Sequence, residues 1–253
     1  SDIPFRWPDV EYGRRFLIKL WNAASFTSNL LKDYKPSENA EYALQTLDRW
    51  ILSKAEKLTK TVTEALEKCQ FNIAMEEIRN FVWHIFCDCY LEAVKDRLYK
   101  PEIYGEKRKA AQYTLYTVLY RILQLLAPTT PHLTEEIYQT MYVEDKGYKS
   151  LHLSPWPKLD ERRISEEAEK HGDLIMAVIT DVRREKAERR MPLNAQIKKL
   201  TIYVGEKDME ETIMANSEDI VGTCKVAKIE VLQEEGEGRE IKPYSNLRFV
   251  TEH

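Results

Sequence analysis

The stretch that decides the fold is residues 71–98, which read FNIAMEEIRNFVWHIFCDCYLEAVKDRL. Its apolar residues recur at steps of three and four, the spacing that forms one stripe on an α-helix, and they are Ile78, Val82, Ile85, Phe86, Cys89 and Ala93. Phe81, Trp83 and Tyr90 widen this stripe beyond a single face. With Asn72 as its N-cap and Pro101 as its stop, the sequence predicts one central α-helix of about 28 residues. A helix so apolar needs partner helices on more than one side.

Helical periodicity continues on both sides of this stretch. We expect an extended segment over residues 1–8. Helices are then predicted from Asp9 to about Leu30, from Ser37 or Thr46 to Gln70, from Glu106 to Ala127 and from Asp160 to Arg189. A further short helix is predicted to begin after His132, with Thr134 as its cap. We expect Pro101–Gly105 to form a turn. The SPWPKLD segment at 154–160 is typical of a domain boundary. The predicted fold is mainly α, with a helical bundle over residues 1–158.

The pattern changes to a period of two after Pro192. Leu200, Ile202 and Val204 alternate with polar residues, as do residues 227–231, and this alternation predicts strands. About twenty residues separate the two strands, which is enough for a helical crossover between parallel strands. We predict a third short strand at 247–250 and an exposed turn at 234–240. Residues 159–253 are therefore interpreted as a long helix followed by a small α/β unit.

Composition narrows the classes of function. The chain has 253 residues, 32% of them charged, and a formal net charge of −4, which argues against general polyanion binding but allows a local basic patch. Its cysteines form no C-x-x-C pair, so we expect free thiols in a reducing cytosol; they are Cys69, Cys87, Cys89 and Cys224. No apolar run is long enough to predict a membrane anchor.

Motifs of catalysis are missing from the sequence. It contains no phosphate-binding glycine loop, no H-E-x-x-H and no G-x-S-x-G. His84 lies between Trp83 and Ile85, so we interpret it as a core histidine and not as a metal ligand. We therefore predict no catalytic residue and no metal site.

Two groups of residues have the character of a nucleic-acid contact. The first is the polar side of the opening helix, which could hold phosphates and stack an unpaired base; its members are Arg14, Arg15, Lys19, Asn22 and Phe26. A solvated helix face with Phe26 in the core explains the same residues. The second group is Arg183, Lys186 and Arg190, at i, i+3 and i+7, which suits a phosphate backbone. The alternative explanation is that these three cations lie at the end of a soluble helix and interact favourably with its C-terminal dipole.

Five segments together resemble one family. They are GRRFLIKLWNAASF (13–26), FVWHIFCDCYLEAVKDRLY (81–99), LLAPTTPHLTEEIY (125–138), SLHLSPWP (150–157) and RREKAERRMPLNAQIKKLTIYV (183–204). In order and spacing they are similar to the C-terminal region of the valyl-tRNA synthetases of archaeal type, which are class Ia aminoacyl-tRNA synthetases. The resemblance covers essentially the whole chain. Cys89 departs from it, since the family often has Trp there.

The resemblance implies a tRNA anticodon-binding domain joined to an upstream catalytic domain of the same chain. The intact enzyme would ligate L-valine to its tRNA with ATP and Mg²⁺, as a cytoplasmic monomer. The ATP-binding signatures of the family are absent from these residues, so this part alone is expected to bind tRNA without a cofactor and without catalysis. By similarity, the tRNA surface would lie on the opening helix.

Three alternatives remain open. The chain could be the equivalent region of an isoleucyl-tRNA synthetase. It could also be a helical scaffold that binds a protein through Trp7, Trp21 or Trp156, or a free-standing enzyme, which the missing motifs argue against.

Overall fold

The computed structural model describes residues 5–37 and 41–253. Up to residue 153 its helices are α1 (Trp7–Leu30), α2 (Thr46–Glu67), α3 (Phe71–Asn80), a π-helix (Phe81–Leu91), α4 (Lys95–Tyr99), α5 (Pro101–Leu126), α6 (Pro131–Met141), α7 (Val143–Lys146) and a 3₁₀ turn (Leu151–Leu153). These are followed by a second 3₁₀ turn (Glu161–Arg163), α8 (Glu166–Glu188), β1 (Ile197–Val204), α9 (Lys207–Ala215), α10 (Ser217–Cys224), β2 (Val226–Leu232), β3 (Arg239–Ile241) and β4 (Tyr244–Glu252). The predicted mainly helical fold with a small C-terminal α/β unit is confirmed.

The strands form one sheet in the order β2-β1-β4-β3. β1 and β2 are parallel, with Ile197 opposite Val226, and α9 and α10 form the crossover between them, as predicted. β4 is antiparallel to β1 and includes the predicted third strand. The sequence does not predict β3, because its three residues are too few to show a period of two. β3 takes up residues 239 and 240 of the segment that is expected to be an exposed turn.

Contacts within the chain group it into two compact units. The first comprises Ser1–Tyr42, Ile51–Asp88 and Gln112–Ile164, and the second comprises Ala43–Trp50, Cys89–Ala111 and Ser165–His253. The division of the chain after residue 158 stays a prediction. The second unit includes segments from well before that point.

The central stretch is not the single α-helix that its periodicity predicts. It consists of α3, the eleven-residue π-helix and the short α4. A π-helix closes each hydrogen bond over one more residue than an α-helix. Side chains therefore turn away from the positions that a 3.6-residue period assigns to them. The prediction of His84 as a core histidine is also wrong, because its side chain is 67% exposed. It lies two residues after the buried Val82, which places it on the opposite side of the helix from the apolar stripe.

Several predicted helix boundaries also need correction. Gln70, not Asn72, is the N-cap of α3. The helical stretch does end just before Pro101, because α4 ends at Tyr99 with Lys100 as its C-cap. Pro101 also opens α5, so the turn predicted over Pro101–Gly105 is wrong; α5 only kinks at Gly105, where φ is +40°. Thr134 is not a cap; it lies inside α6, and its hydroxyl donates to the Thr130 carbonyl at 3.0 Å.

The remaining boundaries follow from the sequence more closely. The second helical region begins at Thr46 and not at Ser37, and residues 38–40 lie outside the described part of the chain. α8 begins at Glu166, since a 3₁₀ turn occupies the start of the predicted range. The predicted extended segment falls partly on residues 1–4, which are also not described, while Trp7 and Pro8 already belong to α1.

A tyrosine cluster packs part of the core of the first unit. The rings of Tyr116 and Tyr120 lie 4.7 and 5.2 Å from the ring of Tyr142, and Tyr138 lies 6.4 Å from it. The hydroxyl of Tyr142 is buried and donates to the Tyr116 carbonyl at 3.0 Å. Because this polar tip is satisfied, the ring can be buried without the cost of an unmade hydrogen bond.

In the second unit, Trp50 packs against the start of α8. A Cβ atom placed on Gly172 would lie 2.3 Å from Cγ of Trp50, so only glycine allows this approach. The indole nitrogen of Trp50 donates to Oδ1 of Asp173 at 2.8 Å. The segment 43–50 is thereby joined to a helix more than a hundred residues later.

The cysteines are free, as predicted: Cys87 and Cys224 are buried, Cys89 is half-buried and Cys69 is exposed. Within the described ranges, none of the helices is both long enough and apolar enough to cross a membrane.

Candidate nucleic-acid interface

The opening helix buries one face and leaves a polar stripe beside it. The buried face is formed by Phe16, Leu20, Ala23, Ala24, Thr27 and Leu30. At 100° per residue, Arg15, Lys19, Asn22 and Phe26 fall within about 60° of one another around the helix axis. Arg15 and Asn22 are exposed, whereas Lys19 and Phe26 are half-buried. The fold therefore brings four of the five predicted residues of α1 together.

Arg14 is the one that the fold does not bring together with the others. It lies about 100° around the helix from the centre of the stripe. Its Nη1 donates to Oε1 of Glu11 at 3.1 Å, and its side chain is 68% exposed. Arg14 thus belongs to the outer solvated face of α1.

Lys19 is positioned by two residues of the π-helix. Its Nζ donates to Oδ1 of Asp88 at 2.6 Å and lies 4.6 Å from the centre of the Trp83 ring. An ion pair and a cation–π contact act on the same ammonium group, and 27% of the side chain remains exposed. The charge is thereby held at the surface in one place.

Besides Trp83, sequence reasoning misses His84, Arg79 and Tyr12 at this surface. His84 lies with Nδ1 3.5 Å from Oδ2 of Asp88. Arg79 lies with its guanidinium 4.7 Å from the ring of Tyr12, which is one turn before Arg15 on the same stripe. The spacing of His84 and Asp88 at i, i+4 is a signal for such a pair, but the expected burial of His84 obscures it.

We call these residues the α1 surface, defined as Tyr12, Arg15, Lys19, Asn22, Phe26, Arg79, Trp83 and His84. It combines cations, an amide and aromatic rings on one side of the first unit. Cations and aromatic faces are what single-stranded RNA requires of a protein, because they hold phosphates and stack on unpaired bases. Asp88 supplies the carboxylate that positions two of its members.

The second predicted group lies in the second unit and does not form a continuous stripe. Arg183 is 21% exposed, and its Nη2 donates to Oε2 of Glu92 at 3.1 Å. Lys186 is fully buried. Its ammonium donates to the carbonyls of Leu193, Ala195 and Cys224 at 3.2, 2.5 and 2.6 Å.

Lys186 therefore has a structural role inside the protein. Burial lowers its pKa, and the three carbonyls occupy all three of its N–H donors. It joins the end of α8 to the segment before β1 and to the end of α10. Its ammonium has no donor left for a phosphate, and we leave Lys186 out of the proposed contact surface.

Arg190 lies beyond the end of α8 and is exposed. Its φ is +57°, its N–H donates to the Ala187 carbonyl at 3.0 Å, and the N–H of Met191 donates to the Lys186 carbonyl at 2.8 Å. This is the Schellman arrangement that ends many helices, with an arginine in the left-handed position that usually holds glycine. The side chain is therefore directed by the turn and not by helical periodicity.

Metal-ligating side chains do not cluster in the part of the chain that the structure describes. It holds no group of three His, Cys, Asp or Glu side chains that could bind a metal ion.

Comparisons with known proteins identify the family. A family model described as the anticodon-binding domain of tRNA ligase matches residues 48–202. The valine–tRNA ligase of Thermococcus kodakarensis is 42% identical over 247 residues, which are 96% of this chain and 27% of that protein. The valine–tRNA ligase of Pyrococcus furiosus is 41% identical over the same shares of both chains. That of Methanothermobacter thermautotrophicus is 43% identical over 92% of this chain and 25% of its own length. The chain thus spans about a quarter of the length of these relatives.

Proposed function

Because the chain belongs to the family of anticodon-binding domains of tRNA ligases, we propose that it is the tRNA-recognition part of a valine–tRNA ligase. The support for valine is that relatives of that name match it at 41–43% identity along nearly all of its length. The resemblance in sequence motifs points to the same enzyme.

The intact enzyme would attach L-valine to its tRNA with ATP and Mg²⁺. We assign that chemistry to the three-quarters of the relatives' length that these residues do not match. This part would need no cofactor of its own, and its partners would be the tRNA and the catalytic domain of the same chain. We propose a cytoplasmic monomer.

The α1 surface is the proposed contact with the anticodon region. The main support for this assignment is the position of the Lys19 ammonium. Asp88 and the Trp83 ring hold it in place, within a stripe of side chains that can bind phosphates and bases. A charge that is already in position loses less conformational entropy when it binds. Arg15 and Asn22 then extend the stripe with a bidentate cation and an amide that can read a base edge.

Binding of the chain to a valine tRNA transcript tests this proposal, in comparison with a transcript that carries a changed middle anticodon base. Both are measured at two salt concentrations. We expect a preference for the unaltered anticodon and weaker binding at the higher salt, because phosphate contacts release counterions. Binding that is independent of salt would contradict the proposal and favour a protein scaffold, which would use the exposed Trp7, Trp21 or Trp156.

Single substitutions then locate the contact. Lys19→Ala and Arg15→Ala should each weaken tRNA binding about five-fold, the equivalent of about 1 kcal/mol, with little change in the thermal midpoint. Arg162→Ala is the matched control, because Arg162 is a 90% exposed cation of the same unit outside the α1 surface. Equal reductions in affinity for Arg162→Ala and Lys19→Ala would show nonspecific charge attraction only.

Asp88→Asn tests whether the fixed position of Lys19 matters. The substitution removes the carboxylate that holds the ammonium, so tRNA binding should weaken, because Lys19 then loses more conformational entropy when it binds a phosphate. Unchanged or tighter binding would show that repulsion between Asp88 and the phosphates outweighs this positioning, and would contradict the role assigned to the fixed ammonium.

A further inference from the structure

The second unit contains a cavity of about 390 Å³ that four cationic side chains line. They are Lys95 and Lys100 from around α4, Arg183 from α8 and Lys225 from the end of α10. A volume of this size is within the range of pockets that bind small molecules or parts of larger ones. The function proposed for the α1 surface does not use this cavity.

The cations around the cavity outnumber the carboxylates. Lys95 and Arg183 both pair with Glu92. Lys100 and Lys225 both pair with Asp96, at 2.9 and 2.8 Å. Four positive charges share two negative ones, so the cavity has a net charge of about +2 in a chain whose formal net charge is −4. This local excess of positive charge indicates that the cavity is suited to bind an anion.

The frame that holds these cations is closely packed. Asp96 is only 8% exposed, and the hydroxyl of Tyr104 donates to it at 3.0 Å. A Cβ atom on Gly222 would lie 2.8 Å from Cβ of Asp96, so α10 approaches this carboxylate as closely as a glycine allows. Burial opposes ionisation of Asp96, but hydrogen bonds from Lys225, Lys100 and Tyr104 lower its pKa. The carboxylate therefore stays charged and orients both lysines.

The lysines remain accessible to a ligand. The side chains of Lys100 and Lys225 are 44% and 42% exposed despite their pairing with Asp96. Tyr99 also lines the cavity and is 60% exposed, and Asn194 completes the lining from the segment before β1. Cations and an exposed ring beside one cavity match the two parts of a nucleotide, a phosphate and a base.

We propose that this cavity binds a backbone phosphate of the tRNA and stacks the adjacent base on Tyr99. The inference rests on the proposed tRNA function and adds a contact that does not depend on the anticodon sequence. Arg183, which the sequence places in a phosphate-binding stripe, would act here together with three lysines that sequence spacing does not connect to it.

The experiment measures tRNA affinity between about 50 and 200 mM salt for the wild type, Lys95→Gln and Lys100→Gln. Each substitution leaves the carboxylate with its second cation, so the ion-pair frame is preserved. For each phosphate contact that a substitution removes, the slope of log affinity against log salt should become shallower by about 0.7. Affinity at low salt should fall several-fold, while the preference for the unaltered anticodon remains.

Lys107→Gln is the matched control. Lys107 lies in the same unit, is 40% exposed and pairs with Glu218, but it does not line the cavity. Its substitution should leave the salt slope unchanged.

Two further variants test the cavity without removing an ion pair. Asn194→Glu adds a negative charge to the lining and should weaken tRNA binding at low salt. Tyr99→Ala should weaken binding about five-fold because the stacking surface is removed, whereas Tyr99→Phe should retain it.

The possible failures are distinguishable. If the wild type binds tRNA and all of these variants bind with the same affinity and salt slope, the cavity is not a tRNA contact and the proposed function stands. If the wild type itself does not bind tRNA, the proposed function fails and this inference fails with it.

Discussion

The guanidinium of Arg97 makes two hydrogen bonds to the carboxylate of Asp48, at 3.0 and 3.2 Å, and both side chains are buried. The hydroxyl of Tyr90 donates to the same carboxylate at 2.7 Å. On its other side, Nε of Arg97 lies 3.0 Å from Oδ1 of Asp219. The cluster joins three distant segments of the second unit, and its charged groups must stay paired because burial removes them from water.

Removal of Arg97 should be strongly destabilising. In Arg97→Ala the carboxylates of Asp48 and Asp219 would be buried without their counter-ion, so we expect the free energy of unfolding to fall by about 3–5 kcal/mol. Denaturant unfolding measures it. Lys107→Ala, which breaks an exposed pair in the same unit, should cost less than about 1 kcal/mol. A similar cost for both would show that the buried cluster contributes no more than a surface ion pair.

Asp219 should make stability depend on pH in an unusual direction. Burial, only partly opposed by Arg97, raises its pKa to about 6. Because the folded state then binds a proton more tightly than the unfolded state, this group's contribution to stability is present at about pH 4 and disappears as the pH rises through about 6. We subtract the unfolding free energy of Asp219→Asn from that of the wild type. This difference should fall by roughly 3 kcal/mol as the pH rises from about 4 to about 6.

The comparison with Asp219→Asn isolates this group, since all other carboxylates titrate in both proteins. Unfolding free energies from denaturant titrations between about pH 4 and pH 7 provide the measurement. A difference that is constant with pH would mean that Asp219 keeps an ordinary pKa in the fold.

Lys186→Met should destabilise the protein without changing its phosphate contacts. The substitution keeps the apolar stem and leaves three carbonyls without their donor, so we expect the unfolding free energy to fall by about 2–4 kcal/mol. Lys228→Met is the exposed control and should have little effect. At a temperature where the variant is folded, its tRNA salt slope should equal that of the wild type. A salt slope shallower than that of the wild type would show that Lys186 does contact a tRNA phosphate.

Arg190→Gly should have opposite effects on stability and on binding. Glycine adopts the left-handed conformation of this position without the steric cost that arginine carries, so stability should rise by about 1 kcal/mol. If the exposed arginine contacts a phosphate, tRNA affinity should fall at the same time. Thermal unfolding and tRNA titration together provide the readout.

The neighbouring Arg189→Gly is the control for this effect. Arg189 has φ of −79°, where glycine has no steric advantage, so no gain in stability is expected. A gain at both positions would indicate that removal of positive charge, and not the backbone conformation of Arg190, is stabilising.

Local periodicity accounts for what could be predicted correctly. Steps of three and four along α1, α2 and α8, and alternation along β1, reflect the face that each element buries, and neighbouring residues in the sequence determine that face. The stripe of Arg15, Lys19 and Asn22 is predictable for the same reason. The left-handed turn at Arg190 is not, because an arginine lacks the signal that a glycine would have provided.

The sequence by itself determined the helical and strand segments, the parallel pair of strands, and the family resemblance. Only the tertiary structure decided which charged residues are interior and which face solvent. Lys186 and Arg190 look alike in the chain. Three carbonyls enclose the ammonium of Lys186, two from the segment before β1 and one from Cys224 at the end of α10, whereas a helix-ending turn exposes Arg190. Burial of a charge depends on partners that are remote in sequence, and periodicity holds no information about them.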